Sequence, residues 1–145
     1  MVNQAKSMFD KIWARHIVSP ETADTPAVLY IDLHLTHEVT TPQAFSVLRE
    51  RGLGVRRPDL TLGTVDHSSP TTTAGLRGIA AADTPQARRI LEFERNCRVF
   101  GIECLGLDSE HRGLVHVVGP EKGATQPGKT SVCGASHTST HGACG

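Results

Sequence analysis

Ala27-Val28-Leu29-Tyr30-Ile31-Asp32-Leu33 runs directly into His34-Leu35-Thr36-His37-Glu38 and then Thr41-Pro42-Gln43. The first seven residues are nearly all apolar and too few for a typical helix, so they read as a buried strand. The end of that strand delivers His34, His37 and Glu38 into a loop. Thr41 is placed as a helix N-cap with Pro42 at the first helical position, where a missing N–H costs nothing. Gly52 supplies the stop. Strand, loop rich in chemistry, capped helix: this is the opening of a β–α unit.

The same grammar continues outward. Met8, Phe9, Ile12 and Trp13 recur at helical spacing and predict a short amphipathic helix over roughly residues 4–16. Thr84-Pro85-Gln86 repeats the capping device and opens the longest helix, striped by Ile90, Phe93, Cys97 and Phe100 and ended by Gly101. Leu60 to Val65, Ile102 to Leu107, Leu114 to Val118 and Thr130 to Cys133 read as further strands, the third broken by Gly119-Pro120. Helices alternating with short apolar strands predict an α/β layered domain with a largely parallel sheet. Ligands of such sheets gather at the carboxyl ends of the strands. His34 and His37, Asp66-His67, and the run from Cys133 to His141 all fall there, whereas His116 lies within its predicted strand.

Composition narrows the function. The 145 residues suffice for one domain with an aliphatic core, because aromatics make up only 4%. Fifteen basic residues balance fifteen acidic ones, so no net charge attracts nucleic acid or anionic lipid. The basic group Arg49, Arg51, Arg56 and Arg57 reads as a solvated helix end and loop. No apolar run approaches the ~20 residues of a membrane span, and no signal peptide opens the chain, which points to a cytoplasmic protein. Cys97, Cys104, Cys133 and Cys144 are expected as thiols, and none forms a Cys-x-x-Cys pair.

Three constellations hold candidate chemistry. Asp66-His67 sets a carboxylate beside an imidazole, an arrangement that fixes the tautomer for acid–base work, or else an Asp that merely caps backbone. His116 is either functional or a satisfied strand histidine. The terminal segment from Cys133 to Gly145 gathers two Cys, two His and four hydroxyls. On a helix, Cys133, His137, His141 and Cys144 would share a face and suit zinc. Its glycines make it a poor helix, however, and suit a cradle for carboxylate or phosphate instead.

Several long motifs then stand in one order: Tyr30 to Phe45, Asp66-His67, Asn96-Cys97, Gly113-Leu114-Val115-His116-Val117-Val118-Gly119-Pro120-Glu121, and Val132 to Ala143. Together they resemble the large subunits of 3-isopropylmalate dehydratases, within the aconitase superfamily, from about residue 5 to the end. The resemblance implies that residues 1–145 form the N-terminal, incomplete part of a three-layer aconitase-like α/β core domain that binds a cluster. It implies a hydro-lyase that interconverts 2- and 3-isopropylmalate in leucine biosynthesis. The implied partners are a hydroxy-dicarboxylic acid and a separate small subunit, which carries a serine base.

By the same resemblance, Asp66, His67, His116 and His137 take catalytic positions, while Gln43 and Ser136 take substrate-binding ones. A [4Fe–4S] cluster is implied, but its cysteines would lie beyond Gly145, so no metal ligand is assigned here. The family's aspartate between Gly134 and Ser136 is Ala135 in this chain, so a neighbouring imidazole loses its orienting carboxylate. The chain alone is therefore expected to be inactive. The alternatives are a degenerate, non-catalytic paralogue that binds a carboxylic acid or a partner subunit, and a fragment of a related hydro-lyase such as homoaconitase.

Overall fold

The computed structural model describes residues 5–79 and 81–144. Helix α1 (Met8–His16) opens with Ser7 as its cap, the Ser7 hydroxyl and Asp10 carboxylate each satisfying the other's backbone N–H. The predicted start at residue 4 lies outside the described residues. Strand β1 (Ile17–Ser19) follows and pairs antiparallel with β2 (Val28–Leu29).

The run from Ala27 to Leu33 is thus not one buried strand. Val28 is 54% exposed in a two-stranded ribbon. The sheet strand β3 is Leu33–His37, so His34 and His37 lie on the strand rather than in the loop after it. Asp32 makes the break. Its carboxylate Oδ2 accepts from the Thr130 backbone N–H at 2.9 Å and lies 2.6 Å from His16 Nε2, which turns the chain away from the ribbon pairing.

Helix α2 (Pro42–Glu50) begins where expected, but Thr41 does not cap it. Its hydroxyl donates instead to the His37 carbonyl. A short 3-10 turn leads to β4 (Thr61–Thr64), and α3 (Thr73–Ile79) and α4 (Pro85–Phe100) follow. The Thr84 hydroxyl accepts from the Ala87 N–H and caps α4. Gly101, at φ 71°, lets the Ile102 N–H turn back to the Cys97 carbonyl at 2.8 Å. Strand β5 is Glu103–Leu105.

The segment predicted as a strand from Leu114 to Val118 is instead helical: α5 spans Val115–Glu121, with Gly119 and Pro120 inside it. Burial follows a helical period, Val115 and Val118 inside and Leu114 and Val117 outside. The valines favour a strand locally, and tertiary contacts override that preference. The Asp66 carboxylate accepts the Val115 N–H at 2.9 Å, and the Gly119 carbonyl accepts the N–H groups of Ala124 and Thr125. Strand β6 (Ser131–Cys133) and a 3-10 helix over Thr138–Ala143 complete the described chain.

Four strands form a parallel sheet in the order β5-β4-β3-β6. One face carries α2 and α4 over Phe45, Ile90, Phe93 and Cys97. The other carries α5 over Leu33, Leu35, Leu62 and Leu105. The three-layer α/β expectation holds. Chain direction across the sheet reverses once: β3 leads to β4 and β5 on one side, and β6 returns to the other side of β3. The basic group is partly engaged, since Arg49 donates to Asn96 Oδ1 at 2.5 Å and Arg57 pairs with Asp59. Among the described residues, no helix is long and apolar enough to cross a membrane.

Gly63 shows how close the α4 layer lies. A Cβ there would stand 3.0 Å from Phe93 Cζ and 3.1 Å from Cys97 Sγ. Gly63→Ala is therefore expected to lower unfolding free energy by about 1–3 kcal/mol through overpacking. Urea denaturation of the chain checks this, and an unchanged midpoint would contradict it.

Candidate active site

The reversal of chain direction between β3 and β6 makes a topological switch point, and ligands of open α/β sheets usually sit outside the carboxyl ends of the strands there. His37 ends β3, Asp66 follows β4 by two residues, and Cys133 ends β6. Topology therefore brings together residues that are distant in sequence.

Glu38 is the buried foundation of this cluster. Its carboxylate accepts the Asp66 N–H at 2.9 Å and the Ser68 N–H at 2.5 Å, so it shapes the turn that carries Asp66-His67. Asp66 is itself buried, and its Oδ2 serves both the Val115 N–H and His67 Nδ1, the latter at 3.5 Å. Asp66 Oδ1 has no hydrogen-bond partner among the described residues. The carboxylate thus binds the first N–H of a helix and also flanks an imidazole. His67 is half exposed and stacks on the buried His37 ring at 4.4 Å.

His116 sits in the first turn of α5, one residue beyond the capped N–H. Its Nδ1 lies 3.0 Å from Nε2 of the buried His141, whose Nδ1 lies 2.9 Å from the Thr125 hydroxyl. Gly119 permits this approach, since a Cβ there would come within 2.9 Å of Thr125 Oγ1 and 3.0 Å of His141 Cε1. His137 is exposed, with Nδ1 2.8 Å from Ser136 Oγ. Gln43 is exposed in the first turn of α2, and its side chain makes no hydrogen bond among the described residues.

Cys133, His137, His141 and Cys144 do not form the helical face that zinc would need. Cys133 ends β6, and only His141 of the four lies within the 3-10 helix Thr138–Ala143, whose three-residue period would not align positions spaced by four. Among the described residues, no three His, Cys, Asp or Glu side chains converge to hold a metal ion. Burial pushes the Cys133 thiol up to about 11. The Cys97 thiol is raised by its hydrogen bond with Cys104 and by burial. Cys97 is enclosed in the core on the inner side of α4 while Cys133 ends β6, so among the described residues the cysteines do not converge as ligands of an iron–sulfur cluster must.

Glu38 and Thr125 carry no assigned role in the sequence reading, and His141 enters it only as a candidate zinc ligand, not as the partner of His116. Glu38 had a weak signal in its place beside His37. Thr125 had none, because its role depends on contact with a histidine sixteen residues away.

Burial lowers the pKa values of His37, His116 and His141 below their ordinary 6.5, with smaller contributions from neighbouring imidazolium charges. Each stays neutral when folded at a pH where the unfolded chain would protonate it. Stability from these groups is complete above pH 6.5 and declines as the pH falls from there toward the lowered folded values. Urea midpoints measured from about pH 7.5 down to about pH 5 are expected to fall on acidification, and a rise would contradict this.

The chain is 62% identical over 141 residues to the 3-isopropylmalate dehydratase large subunit of Roseiflexus castenholzii, covering 97% of this chain. It is 57% identical over 144 residues to the protein of the same name from Anaeromyxobacter dehalogenans, covering 99% of this chain. The match lies in the N-terminal part of these relatives, and the chain spans 30% of the length of each. Residues 10–145 match the model of the aconitase family (aconitate hydratase). With this match and a parallel sheet flanked by helices, the chain belongs to the aconitase family.

Proposed function

We propose that this chain forms one wall of a hydro-lyase active site that isomerises 2-isopropylmalate to 3-isopropylmalate, by dehydration and rehydration, in leucine biosynthesis in the cytoplasm. The observation that carries the reading is the one buried carboxylate of Asp66, which flanks His67 and holds the first N–H of the helix on which His116 stands. Two relatives named as large subunits of 3-isopropylmalate dehydratase support the choice of substrate.

Loss of water from a malate-type carbon is slow because hydroxide is a poor leaving group and the C–H is weakly acidic. Imidazoles beside a carboxylate address the first difficulty by supplying a proton to the departing oxygen. In our reading His67 is that donor, flanked by Asp66, with His116 and His137 as further acid–base groups. Gln43 and Ser136 bind the substrate's carboxylates. Glu38 orients the 66–68 turn without touching substrate. Residues 1–145 act as the N-terminal part of the cluster-binding core domain. The [4Fe–4S] cluster that the family implies does not fit the four cysteines described above, and its ligands belong to the further length of the relatives. This chain's own contribution is binding, orientation and proton handling. A small subunit is the proposed protein partner.

Ala135 favours a second reading, a non-catalytic relative that still binds a carboxylic acid, because its side chain cannot orient an imidazole. Co-expression of the chain with the remaining length of the Roseiflexus large subunit and its small subunit separates the two. The first reading expects isomerisation of 2-isopropylmalate, reduced about 10²–10⁴-fold by His67→Asn. Glu38→Gln should leave an amide against two N–H donors, destabilise the chain by about 1–3 kcal/mol and lower activity alongside. Binding without turnover, with turnover gained in Ala135→Asp, would establish the second reading.

A further inference from the structure

His116 needs a partner to fix its tautomer, and Ala135 has no side-chain acceptor to offer. The nearest ring atom recorded against it is His141 Nε2, 3.0 Å from His116 Nδ1, with the rings edge to face. His141 is buried, and its other nitrogen meets the buried Thr125 hydroxyl at 2.9 Å. The three groups form a single hydrogen-bonded chain.

The direction of that chain follows from counting protons. The Thr125 hydroxyl has His141 Nδ1 as its only hydrogen-bond partner among the described residues. A buried hydroxyl proton without an acceptor costs more than a vacant lone pair on the same oxygen, so Thr125 donates. His141 Nδ1 is then the acceptor, and a neutral imidazole carries its one proton on the other nitrogen. His141 Nε2–H therefore donates to His116 Nδ1, which leaves the His116 proton on Nε2. Burial keeps both rings neutral, as the arrangement requires.

The geometry points to His141, set by Thr125, as a positioning residue that holds His116 in the Nε2-protonated form, the tautomer that donates. This relay is a property of the folded chain. Only the further step, that His116 donates to a substrate oxygen, rests on the hydro-lyase reading.

Long-range proton–nitrogen correlation of the full chain, labelled with 15N at histidine, reports which ring nitrogen bears each proton. The expected result is Nε2–H at both His116 and His141. Thr125→Val removes the donor, nearly preserving shape, and should cut the tautomer bias at both rings by about fivefold, the equivalent of one neutral hydrogen bond. Thr125→Ser should restore it, which a purely packing role for Thr125 would not do. An Nδ1 proton on His116 in the unmodified chain would overturn the relay, whether or not the valine variant folds. So would tautomers that are unchanged in a folded valine variant. If the tautomers are as expected but the assembled enzyme neither binds nor turns over 2-isopropylmalate, the relay stands and the proposed reaction fails.

Discussion

The Asp66 carboxylate, accepting the Val115 N–H across the sheet edge, couples the two halves of the site. A charged acceptor on a backbone N–H is among the stronger hydrogen bonds, and here it is buried. It does three things through one oxygen. It starts α5, where no local side chain caps the helix. It sets His116 one residue beyond the capped N–H, and it stands beside His67. Glu38 holds the Asp66 backbone in turn, so one buried carboxylate positions the next. The site is built from these hydrogen bonds outward, and the apolar core supplies the platform beneath.

The platform has its own logic. Parallel strands need crossovers, and here the helices divide between the two faces, with α2 and α4 on one and α5 on the other. That division accompanies the return of β6 beside β3, which sets the switch point. Close approaches depend on missing side chains, at Gly63 beneath α4 and at Gly119 beside His141. The site is therefore as much a consequence of packing as of its polar groups.

Much of the fold was legible because its signals are local. Thr84-Pro85 and Gly101 bound α4 as read, since capping and a positive φ depend on adjacent residues. The reading failed where distant groups decide. Val115, Val117 and Val118 suggest a strand until Asp66, forty-nine residues earlier, supplies a helix cap. The run from Ala27 to Leu33 suggests one strand until Asp32 meets Thr130 and His16. Asp66, His67 and His116 were visible as candidates, whereas Thr125 and His141 gained a role only through contact.

The sequence by itself determined the α/β class, the bounds of α4 set by Thr84, Pro85 and Gly101, and the motifs that place the chain in its family. Those features need only neighbours along the chain or a fixed order of residues. Tertiary structure alone decided that Leu114 to Val118 enters a helix, that Glu38 underpins the Asp66 turn, and that His141 partners His116. Hydrogen bonds between residues tens of positions apart have no period and no local signature. They exist only once the sheet has brought its strand ends together.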